Sequence, residues 1–369
     1  MLLTILSIIG LLIIIGLLFI NLSPQFGGKH SKEDISRYED SGHYTDGKFV
    51  NKIETKMDMG FKNTLITIKE FIQGNPNGKP KRELPQEEAD STQLADLEEA
   101  TLLWFGHSAF FLKLDGKNIL LDPMLGNTPA PHPLLGGKRF NRELPIDIVH
   151  LPPIDLVIIS HDHYDHLDYE SIQKLKNKCK QFYVPLGVGA HLKAWGIEKD
   201  RIKEFNWWEE SNYEGLQIAC TPARHFSGRG LTDNSTTLWS SWVIKGKQKN
   251  IYFSGDSGYG PHFKEIGEKY GPFDFAMMEC GQYNTKWASI HMMPEETALA
   301  AKELKANLAM PIHWAAFTLA LHDWNEPVIR MTEKAKEINL PVIVPTIGSL
   351  IPLDKAEANH SSWWLNLTK

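Results

Sequence analysis

The chain has 369 residues, 42% of them hydrophobic and 23% charged, long enough for one large core plus an appendage. Its 39 basic and 45 acidic residues leave a net charge of −6 with no basic tract, which argues against nucleic-acid binding. Cys179, Cys220 and Cys280 are odd in number and far apart, so they fit neither a disulfide framework nor a zinc-finger pattern.

Residues 1–20 carry no charged side chain and are long enough to span a bilayer. No Lys or Arg precedes this run and no small-residue cleavage site follows it. Residues 1–21 are therefore expected to be an uncleaved transmembrane anchor, with a cleaved signal as the alternative. Ile and Leu on every face argue against a buried globular helix. Lys29, Lys32 and Arg37 follow the run and nothing basic precedes it, which favours a catalytic domain on the cytoplasmic face without fixing the side.

Residues 22–55 are polar, mixed in charge, and read as a stalk. Met57, Phe61, Leu65, Ile68, Phe71 and Ile72 recur at helical spacing. That predicts an amphipathic helix over 57–73 packed on the domain, a membrane-surface helix being the second reading. Residues 74–93, rich in Pro, Gly and charge, read as a linker that closes a 22–95 connecting region. A catalytic domain is expected over 96–355, and a C-terminal tail over 356–369. Within the domain, residues 110–114 and 118–121, joined by Asp115-Gly116, predict a hairpin. Helices are predicted over 170–178, 261–270, 294–307 and 327–338, three of them with proline near the first turn. Interleaved strands and helices of this kind indicate an α/β protein.

The densest chemistry lies in Ser160-His161-Asp162-His163-Tyr164-Asp165-His166, directly after the strand-like Leu156-Val157-Ile158-Ile159. His161 and His163 alternate, so in an extended loop both face one side. Asp165 and His166 come slightly later and suit a second metal. His225, Asp256 and His313 each follow another short apolar segment. Four strand ends would thus deliver imidazole and carboxylate ligands to one sheet edge, a donor set that suits zinc best, with iron or manganese as alternatives. No Ser or Cys stands out as a nucleophile, so the expected chemistry is attack by metal-activated hydroxide.

These motifs resemble the metallo-β-lactamase superfamily. Gly137-Lys138-Arg139-Phe140, Leu151-Pro152-Pro153-Ile154-Asp155, Trp207-Trp208-Glu209-Glu210, Gly255-Asp256-Ser257-Gly258-Tyr259, Pro294-Glu295-Glu296 and Ile312-His313-Trp314 extend the likeness to its N-acylphosphatidylethanolamine-hydrolysing phospholipase D group. The resemblance covers residues 100–345 and implies an αββα sandwich. It implies two zinc ions, one held by His161, His163 and His225, the other by Asp165, His166 and His313, with Asp256 bridging. His107 is implied behind the ligands, as is Asp122, which would orient a ligand imidazole.

Asp165 and Asp256 would then serve catalysis as well as binding. His291 would donate a hydrogen bond or a proton near the phosphate, and Tyr164 would bind a phosphate oxygen. Lys138 and Arg139 would steer an anionic substrate. The implied reaction is hydrolysis of an N-acylphosphatidylethanolamine-like phospholipid to phosphatidic acid and an N-acylethanolamine, by a membrane-bound homodimer. Met278-Glu279-Cys280-Gly281-Gln282 departs from the group, which has a more apolar, proline-containing stretch there. One alternative is a lactonase or phosphoesterase for a small soluble anion, resembling the ascorbate-6-phosphate lactonase branch. Another is a non-catalytic metal-binding envelope protein.

Overall fold

The computed structural model describes residues 1–97, 100–358 and 362–367. The chain opens with α1 (Leu2–Leu22) and α2 (Lys32–Glu39), then a ribbon of β1 (Tyr44–Thr45) and β2 (Lys48–Phe49), then α3 (Phe61–Gln73) and α4 (Ser91–Ala95). A first sheet begins with β3 (Thr101–Trp104), β4 (Phe110–Leu114), β5 (Lys117–Leu121), β6 (Ile154–Ile158), β7 (Cys179–Pro185) and β8 (Ile202–Phe205). A second holds β9 (Glu210–Tyr213), β10 (Leu216–Thr221), β11 (Ser241–Lys245), β12 (Asn250–Phe253), β13 (Phe275–Glu279) and β14 (Ala309–Ile312). Finally β15 (Leu350–Pro352) returns to the first sheet beside β3.

The strand orders are β15-β3-β4-β5-β6-β7-β8 and β14-β13-β12-β11-β10-β9. Alternation along the strands divides the core. Trp104, Phe110, Leu112, Ile119 and Ile158 meet Trp242, Ile244 and Phe253 between the sheets. The intervening Leu103, Phe111, Leu120 and Val157 face outward, onto Ile172 and Leu175 of α5 (Tyr169–Leu175) and Leu192 of α6 (Gly189–Ala194). Beside the second sheet, α7 (His262–Lys269), α8 (Pro294–Glu303) and α9 (Glu326–Glu337) form the other helical layer. The predicted hairpin is β4–β5 and the four predicted helices are α5, α7, α8 and α9. The result is an αββα sandwich.

Strand direction is what gathers the site. Two antiparallel steps, β3–β4 and β4–β5, turn β3 to run with β5, and β6 is parallel to β5. Likewise two antiparallel steps align β10 with β12, and β13 and β14 are parallel to it. Their carboxyl ends therefore collect along one edge of each sheet, where open α/β sheets place ligands.

The amino-terminal region departs from the sequence expectation in two ways. Residues 23–58 do not hang free as a stalk. They form a strap along the domain: Trp195 Nε1 donates to Pro24 O (2.7 Å), Arg229 Nε to Gln25 O (2.8 Å), and Phe49 N to Ser235 O (2.7 Å). Asp58 N closes the strap on Lys286 O at 2.7 Å. And α3, expected to pack its apolar face on the domain, buries only Thr67, while Phe61 and Ile72 are 82% and 81% exposed. Of α1, no part of the apolar window is buried, and its length and mean hydropathy of 3.0 suit a membrane span or a signal sequence. At the other end, residues 362–367 pack back, with Trp363 stacked on Trp314 at 5.5 Å; the rest of the expected tail beyond 358 lies outside the described residues.

Candidate metal centre

His161, His163, Asp165 and His166 follow β6; His225, Asp256 and His313 follow β10, β12 and β14. The structure brings all seven together. His161, His163, His225 and Asp256 present ligand atoms within 4.8 Å of one another, and so do His107, Asp165, His166 and His313. Asp256 Oδ2 lies 3.1 Å from His166 Nε2, 3.2 Å from His313 Nε2, and 3.8 Å from both His161 Nε2 and His225 Nε2, so it stands between the two groups. His163, Tyr164, Asp165 and His291 are partly exposed, whereas His161, His166, His225, Asp256 and His313 are buried, so reactants reach the cluster past the former.

Each ring is aimed from behind. His225 Nδ1 donates to Ile290 O at 2.9 Å, leaving Nε2 with its lone pair toward the cluster. His166 Nδ1 is held by Asp122 Oδ2 at 2.6 Å, and Asp122 also accepts from Ser160 N and Oγ. His161 Nδ1 lies 2.9 Å from Ser160 Oγ. His107 Nε2 sits 2.9 Å from Asp165 Oδ2, and His313 Nε2 lies 3.1 Å from the same oxygen. Both His107 and His313 adopt left-handed backbone (φ 55° and 67°), uncommon for such a side chain. Reciprocal bonds support them: His313 N donates to His107 O, and His107 N to Trp314 O.

The donor set fits metal. His163 Nδ1 comes within 2.9 Å of His161 Nε2 and 3.2 Å of His225 Nε2. Lone pairs brought that close favour a cation between them. Among the described residues, His166 Nε2 and Asp256 Oδ1 are buried without a hydrogen-bond partner, the state expected of atoms reserved for a metal. Five imidazoles and two carboxylates suit zinc-type coordination.

The electrostatics agree. Burial, reinforced by neighbouring imidazoles, drives His161 and His225 well below the ordinary range, and burial also lowers His163. Burial opposes charge on His166 and His313 too, but the Asp256 and Asp165 carboxylates overcome it. They hold His166 well above its ordinary value and raise His313 to about 10. Asp165 and Asp256 resist burial and stay well below the carboxylate range, chiefly through His166.

Other candidates settle differently. Arg139 spends its donors inside the protein: its guanidinium is buried, donates to the backbone oxygens of Phe105, Met124 and Gly126, and lies over Phe317 at 4.7 Å. Lys138 is exposed and lines a cavity of about 670 Å³ with Arg139, Arg142, Asp168 and Gln25, apart from the seven clustered residues. Tyr164 gives its hydroxyl to Arg229 O (2.7 Å) and its ring to the Arg229 guanidinium (4.1 Å). His291 lies beside the cluster, its ring 5.0 Å from that of His225 and 5.3 Å from that of His313.

Three contributors escaped the sequence reading. Asn51, on the strap, brackets His225 by donating to its carbonyl and accepting from its amide. Asp162, within the histidine motif, turns away to bind Gly228 N, Thr237 Oγ1 and His191 Nε2. Glu279 meets His291. Only Glu279 had left a sequence signal, as a departure from the resembled group.

A family model described as a beta-lactamase superfamily domain matches residues 117–314. An uncharacterized Mycobacterium tuberculosis protein is 38% identical over 331 residues, 88% of each chain. The Caenorhabditis elegans N-acyl-phosphatidylethanolamine-hydrolyzing phospholipase D 1 is 34% identical over 247 residues, 64% of this chain and 68% of that one. Among solved structures, a metallo hydrolase from the archaeon Ignicoccus hospitalis superposes with a TM-score of 0.52 at 24% identity, over 68% of this chain and 97% of its own, which shows the shared fold. The matched family, the sandwich and the ligand cluster at its strand ends agree: the chain belongs to the metallo-β-lactamase superfamily and is a metal-dependent hydrolase with phospholipase D-type homologues.

Proposed function

We propose that the protein is a membrane-anchored, two-metal phosphodiesterase of phospholipase D type. Its substrate would be an N-acylphosphatidylethanolamine-like lipid, and its products phosphatidic acid and an N-acylethanolamine. The carrying observation is Asp256 standing between two groups of clustered ligands, in a chain 34% identical to a phospholipase D of that specificity. His161, His163 and His225 would hold one zinc, Asp165, His166 and His313 the other, and Asp256 both. When bound, two such ions supply Lewis acidity and a water acidified toward neutral pH. The chain's residues do the rest: Asp122 and Ile290 O fix ring orientation, His107 holds Asp165, and His291 offers a hydrogen bond at the open side.

Two helices with exposed apolar side chains, α1 and α3, support a bilayer substrate. The carboxyl end of α1 meets the domain where Phe19 lies 6.1 Å from His132, beside the exposed Leu134 and Leu135. Glu70 of α3 pairs with Lys286 at 2.6 Å, on the loop that leads to His291. A tethered enzyme meets membrane substrate at high effective concentration.

The test is turnover of N-acylphosphatidylethanolamine in detergent micelles by zinc-loaded protein, with products resolved by mass spectrometry and Asp256→Ala as the blank. Phosphatidic acid plus N-acylethanolamine, absent from the blank, is the expected result. An intact lipid after incubation with fully metal-loaded protein would defeat the lipid assignment and turn attention to a small soluble anion.

A further inference from the structure

Glu279 ends β13 and is 0% exposed, in a strand whose other residues are all buried and apolar. A carboxylate in such a place costs several kcal/mol unless paired and hydrogen-bonded. Among the described residues it forms no ion pair with Lys or Arg; its partners are two imidazoles. Oε1 lies 2.6 Å from His291 Nδ1 and 3.7 Å from His313 Nδ1, while Oε2 accepts from Met292 N at 3.2 Å. The backbone around it is pinned as well: Glu279 N donates to Ser254 Oγ, and its carbonyl accepts from Thr297 Oγ1 of α8.

The geometry restricts His291. A carboxylate only accepts, so the proton of the 2.6 Å bond sits on Nδ1 and the lone pair on Nε2. Rotation of the ring would break that bond and take from the buried Oε1 its short hydrogen-bond donor. The ring is also stacked on His313, 10° from parallel at 5.3 Å, and His291 lies with Asp256 and His313 in one group whose ligand-type atoms are within 4.8 Å. Its side chain keeps 12% exposure, on the open side of the cluster.

We propose that Glu279 is a positioning residue: its bond to Nδ1 fixes the His291 ring so that the Nε2 lone pair faces the open side of the cluster, where it accepts a hydrogen bond from the water that attacks the phosphodiester. This rests on the phosphodiesterase reading above. It also explains why an ionisable residue occupies the strand end where the resembled group is more apolar.

The experiment uses zinc-loaded full-length protein and bis-p-nitrophenyl phosphate, a diester with no lipid character. Glu279→Gln and His291→Ala should each lower kcat about 10–100-fold, the range of losses when a supporting residue behind a metal site is removed, with metal content unchanged. The double variant should be no slower than His291→Ala alone, since Glu279 acts through His291. Glu279→Asp, which keeps the carboxylate one methylene back, should fall between wild type and Glu279→Gln. Independently of turnover, proton–nitrogen correlation spectra should show His291, assigned by its loss in His291→Ala, protonated at Nδ1 in wild type and altered in Glu279→Gln. A kcat within twofold of wild type in Glu279→Gln, multiplicative losses in the double variant, or a His291 signal indifferent to residue 279 would each overturn the proposal. Diester hydrolysis without lipid turnover would instead remove the lipid assignment and leave Glu279 standing.

Discussion

Which nitrogen of each imidazole faces the cluster is decided outside it, by Ile290 O for His225 and by Asp122 for His166. Asp122→Ala should therefore cost about 10–100-fold in zinc affinity, by analogy with other residues that orient metal ligands, with the fold retained; unchanged affinity by competition titration would show that Asp122 only braces Ser160. The charge state of the rings has a further consequence. In protein stripped by chelator, the protons on His166 and His313 add stability that is fully present below their ordinary value of 6.5 and is lost as pH rises, for His313 through about 10. The neutral forms of His161 and His225 act oppositely, losing stability as pH falls below 6.5. At pH 7 zinc must displace the protons on His166 and His313, so loading should release at least two protons per chain, read from the buffer dependence of the binding heat. Release of none would show both rings already neutral. At this scale the sequence was most legible where ligands are consecutive, as in 161–166. It was least legible for Arg139 and Tyr164, whose partners are backbone carbonyls that no side-chain pattern reveals.

The strap shows why composition misleads at the scale of elements. Residues 22–55 turn charged side chains such as Lys29, Lys32, Asp46 and Lys48 to water, yet backbone groups and Asn51 of the same segment dock on the domain. Gly28 N donates to His191 Nδ1 at 3.0 Å, and a Cβ on Gly27 would fall 1.9 Å from that same nitrogen, so only glycine lets the strap lie so close. His191 in turn holds Asp162 inside the histidine motif. Farther along, Asn51 gives up both sides of its amide to His225. Removing it leaves the buried His225 amide and carbonyl without that partner, at about 1–3 kcal/mol for a buried group left unsatisfied. Asn51→Ala should accordingly lower the midpoint of denaturant unfolding with an unchanged slope, and loosen zinc at the His225 side first. An unaltered midpoint would mean that the strap lies on the domain without supporting it. The hairpin and the outer helices, by contrast, were readable from turn residues and periodicity, because their signals are local.

For the molecule as a whole, the sandwich was implied by family resemblance and not by periodicity, since strands such as β3, β4 and β6 are buried on both faces and lose the alternation that marks a half-buried strand. What periodicity did show, in 57–73, was an apolar helix, and the structure turns its face outward. Phe61, Leu65, Ile68 and Ile72 of α3 are exposed together, and α1 offers a second unburied apolar surface. Exposed apolar patches of this kind mark contact surfaces, and a helix with Lys62 and Lys69 among its polar positions suits the interface of an anionic bilayer. Burying Phe61 and Ile72 there would contribute about 1.5–3 kcal/mol each. The variant Phe61→Glu/Ile72→Glu changes neither the cluster nor the strap, so hydrolysis of a soluble diester should stay at the wild-type rate. Turnover of lipid presented in vesicles containing anionic lipid should fall at least tenfold, even with α1 intact, if α3 sets how the open side of the cluster meets the membrane. Equal turnover of vesicle lipid by the variant and wild type would leave α1 as the sole membrane element and return α3 to contact with another protein surface.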